Sequence, residues 1–482
     1  MKIGDYMNQF KKPIYEALKM HFEKQPVSLH VPGHKYGIID PYDGDSFFKD
    51  IMKLDATELN GLDDLHHPEG VIKEAETLLA DLYGARNSYL LINGSTVGNL
   101  AMVMSTVQEN EVVLVQRNCH KSILNGLLLA KADPVFLEPE YYPEWGITSG
   151  ISLETIKNAL QLYPDAKAII LTYPNYYGMV YELEEIIKVS HEHHIPVLID
   201  EAHGAHFIIG APFPKSALKL GADMVVQSAH KTLPALTMGS FLHFNSKLIN
   251  QGELEKYLSL LQSSSPSYLL MASLDSARSY LGTYQEEDLL YLEKQIKCFI
   301  KELQRIKGIK VLSYPIHEGD LLKITIQSET TLSGFELQER LEKEGIFTEL
   351  ADPNNLLMVL PLLKNGVIFP FDKISQALRN VVKDVSVVKK PIHMPLNRKK
   401  INKLLLSQEQ MKRAQKETIS IIDAVGRISA ESIIPYPPGI PILLPGELIT
   451  VEDLETICEL IETGARFQGS KNIPSGRLSI FK

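Results

Sequence analysis

Between about residues 70 and 245, short apolar runs alternate with segments whose apolar positions recur every three or four residues. VIKEAETLLADLYG sets Val71, Ile72, Ala75, Leu78, Leu79 and Leu82 on one helical face, and Gly84 is a natural stop. Strands are predicted at SYLLI from Ser88, EVVLV from Glu111, PVFLEP from Pro134, AIILTY from Ala168, PVLID from Pro196, MVVQS from Met224 and GSFLHF from Gly239. Most of these runs are continuously apolar rather than alternating, as expected of strands covered on both faces. The intervals leave room for crossover helices, so the pattern predicts an α/β fold with a mostly parallel, seven-stranded sheet.

The pattern changes after residue 280. EEDLLYLEKQIKCFIKELQRIKG reads as a long amphipathic helix, followed by strands at KVLS and LKITIQ, a helix at GFELQERLEKEG and a strand at LLMVLPLL. KKPIHMPLNRKK, from Lys389, reads as a linker. Beyond it come a helix around 407–416, the proline-rich IIPYPPGIPILLPGE and a terminal helix from Glu452. The expected division is 1–280 for an N-terminal arm and large domain, 281–388 for a smaller α+β domain, and 389–482 for the linker and a C-terminal domain.

At 482 residues, 44% hydrophobic and 22% charged, the chain has the composition of a globular protein with several cores. No apolar run reaches the roughly 20 residues of a membrane helix, and MKIGDYMNQFKKP carries no signal-peptide core, so a cytoplasmic location is expected. Cys119, Cys298 and Cys458 are scattered and odd in number, which predicts reduced thiols. A net charge of −10 argues against nucleic acid as a partner.

Candidate chemistry gathers at the ends of the predicted strands, where open α/β sheets bind ligands. Lys231 lies in the nearly uncharged QSAHKTLPALTMGS, where a lysine can be pushed toward its neutral, nucleophilic form and hold an aldehyde. Asp200 closes PVLID one unit earlier. An aspartate there can pair with the ring nitrogen of pyridoxal phosphate and keep that ring an electron sink, or it can merely cap a helix. NGSTVGN follows the first strand, so Gly94, Ser95 and Thr96 offer backbone N–H groups and a helix dipole to a phosphate, or a plain N-cap. His120, after the second strand, can stack on a planar ring or cap the next helix. Thr172 and Tyr176 in LTYPNYYG can reach a cofactor or substrate oxygen, Ala202 is small enough to let a ring approach the backbone, and His203 lies close to Asp200 in sequence. Ser228 and His230 flank Lys231 within reach of a phosphate. HEHH (His191, His193, His194) and HGAH (His203, His206) match no zinc spacing, so HEHH reads as a solvated helix end and no metal is expected.

These motifs resemble, nearly end to end, the Orn/Lys/Arg decarboxylase family of fold type I pyridoxal phosphate enzymes, and most of all its compact bacterial members without an N-terminal wing domain. The resemblance is carried by HVPGHKYG at His30, GLDDLHHPEGVIKEAE at Gly61, NGSTVGN, QRNCHKS, VLIDEAHGAH, QSAHKTLPALTMGS, QSSSPSYLLMASLD at Gln262 and YPPGIPILLPGE at Tyr436. It implies that Lys231 binds the cofactor aldehyde, Asp200 pairs with the ring nitrogen and His120 stacks on the ring. It further implies that Ser95, Thr96, Ser228 and His230 surround the phosphate, and that Ser264 and Ser265 reach a neighbouring subunit's phosphate in a homodimer with shared active sites, or a higher oligomer. Pro174-Asn175-Tyr176 departs from the family's Pro-Thr-Tyr, which puts the local substrate contact in doubt.

The reaction so implied is decarboxylation of a basic L-amino acid, arginine to agmatine first, then lysine to cadaverine and ornithine to putrescine. Either Lys231 or His203 would return the proton to the α-carbon. Asp63, Asp64 and Glu447 are the candidate partners for the substrate's distal cation, and each can equally be a surface carboxylate or helix cap. The competing readings are an aminotransferase or lyase, for which Arg340 on a predicted helix is a poor carboxylate clamp, and a regulatory pyridoxal phosphate-binding protein with little turnover.

Overall fold

The computed structural model describes residues 7–41, 47–312, 314, 319–388, 399–436, 441–462, 466–468, 470 and 472–482. The linker expected at 389–398 and the PPGI of the proline-rich motif lie outside them. The chain forms two compact units, Met1–Thr106 with Pro196–Ala211 and Lys215–Gln285, and Val107–Ile195 with Pro212–Pro214 and Glu286–Lys482.

All seven expected α/β strands form. The first unit holds four, in the order Asn87–Leu91, Ser240–Phe244, Met224–Gln227, Val197–Asp200. The last two run parallel, with Asp200 opposite Val226. Met224–Gln227 and Ser240–Phe244 run antiparallel, as do Ser240–Phe244 and Asn87–Leu91, so the strand pairing is mixed. The cause is the short connection 228–239, which makes one helical turn and returns at the same end of the sheet instead of crossing it. That return keeps Lys231 at the rim where Asp200 ends its strand. Every residue of the 197–200, 224–227 and 240–244 strands is buried, which accounts for their largely apolar runs.

Two helices brace this sheet. Val71–Tyr83 buries Ile72, Ala75, Leu78 and Leu79 and stops at Gly84, whose φ of +65° suits a residue without a side chain. Gly94–Thr106 leaves the end of the first strand and packs so closely that a Cβ on Gly98 would sit 2.7 Å from Leu91 and 3.0 Å from Val226. That glycine lets the start of the helix lie against the strand ends.

The second unit carries Val112–Gln116 flanked in parallel by Val135-containing Asp133–Leu137 and by Ile169–Thr172, with Ile401–Lys403 added antiparallel at the edge. The helix expected after residue 280 spans Glu286–Leu303. An antiparallel sheet of Ile309–Val311, Lys323–Ser328, Asn355–Val359 and Leu350–Ala351 follows, with helix Gly334–Lys343 opened by a Ser333–Glu336 capping box. The helix expected at 407–416 is shorter, Gln408–Arg413, because Lys416–Ser420 pairs as a strand with Arg477–Phe481. Ile421, Ile433, Leu443, Ile457 and Leu478 belong to a separate C-terminal core, beneath the terminal helix Val451–Glu462.

Candidate active site

Asp200 ends its strand almost fully buried. One carboxylate oxygen accepts from Asn99 Nδ2 at 2.9 Å and the other from the Ala202 backbone N–H at 3.1 Å. Each oxygen keeps capacity for a further donor. Asn99 was not singled out in the sequence, although it lies one helical turn beyond Ser95 and so on the same face of its helix. Lys231 Nζ lies 3.2 Å from Nε2 of buried His203.

The helix of Asn99 begins at Gly94, whose φ of +79° turns the chain out of its strand and into the first helical turn at Ser95 and Thr96. Ser228 Oγ donates to Ser95 Oγ at 2.8 Å, so the turn that carries Lys231 meets the start of that helix. His230 Nδ1 lies 3.0 Å from the Gly239 carbonyl. Ser264 and Ser265 are exposed on the neighbouring loop, where Ser263 N–H donates to Asn93 Oδ1 at 3.4 Å. The structure thus brings Gly94, Ser95, Thr96, Asp200, Ala202, His203, Ser228, His230 and Lys231 to one end of one sheet. A lysine, a buried carboxylate and hydroxyls at a helix start are the donor set that an aromatic aldehyde bearing a phosphate requires.

Asp63 is placed otherwise. It sits in a left-handed turn at φ +71°, and its carboxylate accepts from the backbone N–H groups of Asp64, Glu69, Gly70, Ile72 and Lys73. Burial pushes its pKa up, but the amides of Glu69, Asp64, Gly70 and Lys73 outweigh that and hold it below the ordinary aspartate value. This carboxylate anchors the start of the helix Val71–Tyr83. Asp64 accepts from the His66 backbone N–H at 2.8 Å, and His66 Nε2 lies 2.8 Å from the Ser263 carbonyl.

In the second unit, His120 caps the helix Lys121–Ala130: its Nδ1 accepts from Ser122 N–H and lies 2.8 Å from Ser122 Oγ, while the residue stays exposed. Thr172 N–H donates to Gln116 Oε1 at 3.0 Å, and the buried Thr172 hydroxyl has no partner among the described residues. Tyr176 donates to Glu349 at 2.8 Å. Glu447 is buried against Arg117, 2.8 Å from Nη2, and also accepts from the Leu444 N–H. A buried carboxylate matched to a buried guanidinium satisfies the charge of both. Arg340 donates to the Val381 carbonyl at 3.3 Å. His193 and His194 are solvated at the end of helix Leu183–Glu192.

Residues 12–323 match the model of the Orn/Lys/Arg decarboxylase major domain, and residues 399–471 that of the Orn/Lys/Arg decarboxylase C-terminal domain. The chain belongs to the Orn/Lys/Arg decarboxylase family. The family brings pyridoxal phosphate as the cofactor and decarboxylation of a basic amino acid as the reaction. Among relatives, the uncharacterized protein YaaO of Bacillus subtilis is 45% identical over 479 residues, covering 97% of this chain and 98% of that one. The arginine decarboxylase of Bacillus anthracis is 34% identical over 490 residues, covering 99% and 98%. The structure of the constitutive lysine decarboxylase of Escherichia coli superposes with a TM-score of 0.79 at 22% identity, covering 99% of this chain and 83% of that one. At that identity it shows the fold, and the fold is that of these decarboxylases.

Proposed function

We propose that the basic amino acid is arginine and the product agmatine. One observation carries this choice: arginine decarboxylases of three Bacillus species and of Halalkalibacterium halodurans align at 33–34% identity, whereas the lysine decarboxylases of Escherichia coli align at 24%. Pyridoxal phosphate, when bound, supplies the sink for the electrons released as the carboxylate leaves the α-carbon. Lys231 anchors its aldehyde, and Asp200, oriented by Asn99, holds a proton on its ring nitrogen. Gly94, Ser95, Thr96, Ser228 and His230 bind its phosphate, with Thr172 and Ala202 near the ring, and His120 covers a ring face while its Nδ1 stays with Ser122. Either Lys231 or His203 delivers the proton that replaces the carboxylate on the α-carbon; their 3.2 Å separation lets one recharge the other. Tyr176, Asp63, Asp64 and Glu447 are the candidate substrate contacts.

Exposed Ser264 and Ser265 reach the phosphate of a second subunit in this reading, so the working enzyme is a cytoplasmic homodimer or a higher assembly. Among the described residues no helix is long and apolar enough to cross a membrane. The domain limits at 280 and 389 remain a proposal that limited proteolysis tests. The deciding experiment measures amine and CO2 release from arginine, lysine and ornithine by the cofactor-loaded chain. Agmatine as the main product is expected; cadaverine or putrescine would overturn the arginine assignment and leave the reaction class intact.

A further inference from the structure

Behind the residues just described lies a chain of buried polar groups that the reaction does not use. The parallel strands Val197–Asp200 and Met224–Gln227 end side by side. Asp200 is followed by Glu201, and Gln227 is followed by Ser228. The Glu201 N–H donates to the Val226 carbonyl at 2.8 Å, which aligns the two ends. The Glu201 side chain is wholly buried. Its Oε2 accepts from Gln227 Nε2 at 2.6 Å and from Ser216 Oγ at 3.2 Å, and its Oε1 accepts from the Ala217 N–H at 2.6 Å.

The other end of the Gln227 amide continues the chain. Gln227 Oε1 lies 3.0 Å from His243 Nε2, and His243 Nδ1 lies 2.7 Å from Ser88 Oγ. Because the Gln227 amide donates to Glu201, its oxygen must accept, so His243 carries its proton on Nε2 and takes a hydrogen bond from Ser88. Burial pushes His243 down to about 3, which keeps it neutral, and pushes Glu201 up to about 8 against its three donors. The bonds therefore run one way, Ser88 to His243 to Gln227 to Glu201, across all four strands of the first unit. Apolar side chains would hold these strands together at least as well. A directional polar chain adds registration: each bond length is fixed by the next, and the last one ties two strand ends.

We propose that Glu201, acting through Gln227, is a positioning residue for cofactor binding: the pair fixes the two strand ends from which Asp200 and Ser228 project. The inference rests on the reading of Asp200 and Ser228 as cofactor residues. It accounts for a buried carboxylate immediately beside one that already serves the ring nitrogen.

The test titrates full-length apo chain with pyridoxal phosphate, reading the dissociation constant from visible absorbance and folding from thermal unfolding of the apo form. The variants are Gln227→Glu, Gln227→Met and the exchange Glu201→Gln with Gln227→Glu, with Asp200→Ala and Ser228→Ala alongside. Losing the Gln227–Glu201 bond in Gln227→Met, and burying a second ionisable carboxyl beside Glu201 in Gln227→Glu, are each expected to weaken the cofactor roughly tenfold or more while the apo chain still unfolds cooperatively. The exchange again sets a carboxyl against an amide, and recovers most of the affinity. A Gln227→Met dissociation constant within about twofold of wild type overturns the proposal, as does an exchange no better than Gln227→Glu alone. Should Gln227→Glu fail to fold, Gln227→Met decides by the same criterion. Wild-type cofactor affinity in both Asp200→Ala and Ser228→Ala would instead sink the underlying assignment, and the positioning role with it.

Discussion

Two aspartates of the first unit, Asp200 and Asp63, show how differently one side chain can be used. Asp63 is saturated by five backbone N–H groups of its own loop and helix start, all within ten residues. Asp200 receives one donor per oxygen, one of them the side-chain amide of Asn99 from another element. A carboxylate satisfied locally has finished its work in folding the chain. One held in place by a distant side chain, buried, with lone pairs to spare, can accept a further donor. Sequence left a helix cap open for both; the donors that reach them separate them.

That contrast breaks most visibly at Lys231, which shares the rim with Asp200. Lys231→Ala is expected to abolish amine and CO2 release, a loss of at least about a thousandfold, because it removes the amine proposed to hold the aldehyde. Absorbance of the bound cofactor should change with it. Retained turnover in this variant would remove the whole rim from the mechanism. Asp200→Asn follows, with an expected loss of roughly 10²-fold or more in kcat, since the amide no longer stabilises a protonated ring nitrogen. Thermal unfolding of the apo protein should move little by comparison. A loss confined to KM would contradict the role.

Asp63→Ala sharpens the other side. It leaves five N–H groups without their acceptor and is expected to cost about 2–3 kcal/mol in denaturant unfolding, as a helix cap with several bonds would. The KM for the amino acid should stay within about threefold once the folded fraction is taken into account. A large KM rise at unchanged stability would favour Asp63 as a substrate partner over its anchoring role.

What the sequence revealed and what it hid follow from range. The strands, the helix that stops at Gly84 and the placement of Asp200 and Lys231 at one end of one sheet are written in local periodicity and in order along the chain. Asn99 on Asp200 joins positions 101 apart, and Glu447 on Arg117 joins positions 330 apart, and no local pattern announces such partners. The anchoring contacts of Asp63 were hidden for the opposite reason: they are local, but a turn at positive φ followed by several converging amides resembles any polar loop when read as letters. Antiparallel return of Ser240–Phe244 was legible in principle from the shortness of 228–239, too brief for a crossover helix.

Glu76 provides the gentlest probe of the same distinction between satisfied and merely buried carboxyls. It lies buried on the helix that Asp63 anchors, and its Oε1 accepts a single bond, from Leu90 N–H at 3.2 Å. Burial pushes its pKa up to about 8 from the ordinary value of 4.5, outweighing that bond and the nearby Lys73. Below 4.5 the group is protonated in both the folded and unfolded chain and stability is unaffected. As pH rises toward 8 the unfolded chain ionises first, so stability is lost progressively over that window. Glu201 acts in the same direction over the same range. Glu76→Gln, which cannot ionise, should flatten part of the decline, by about 1–2 kcal/mol between pH 5 and 8, less than full linkage because local relaxation hydrates the carboxylate. Denaturant midpoints at the two pH values measure it directly, and an unchanged slope would mean that Glu76 finds, on ionising, a partner as effective as those of Asp63.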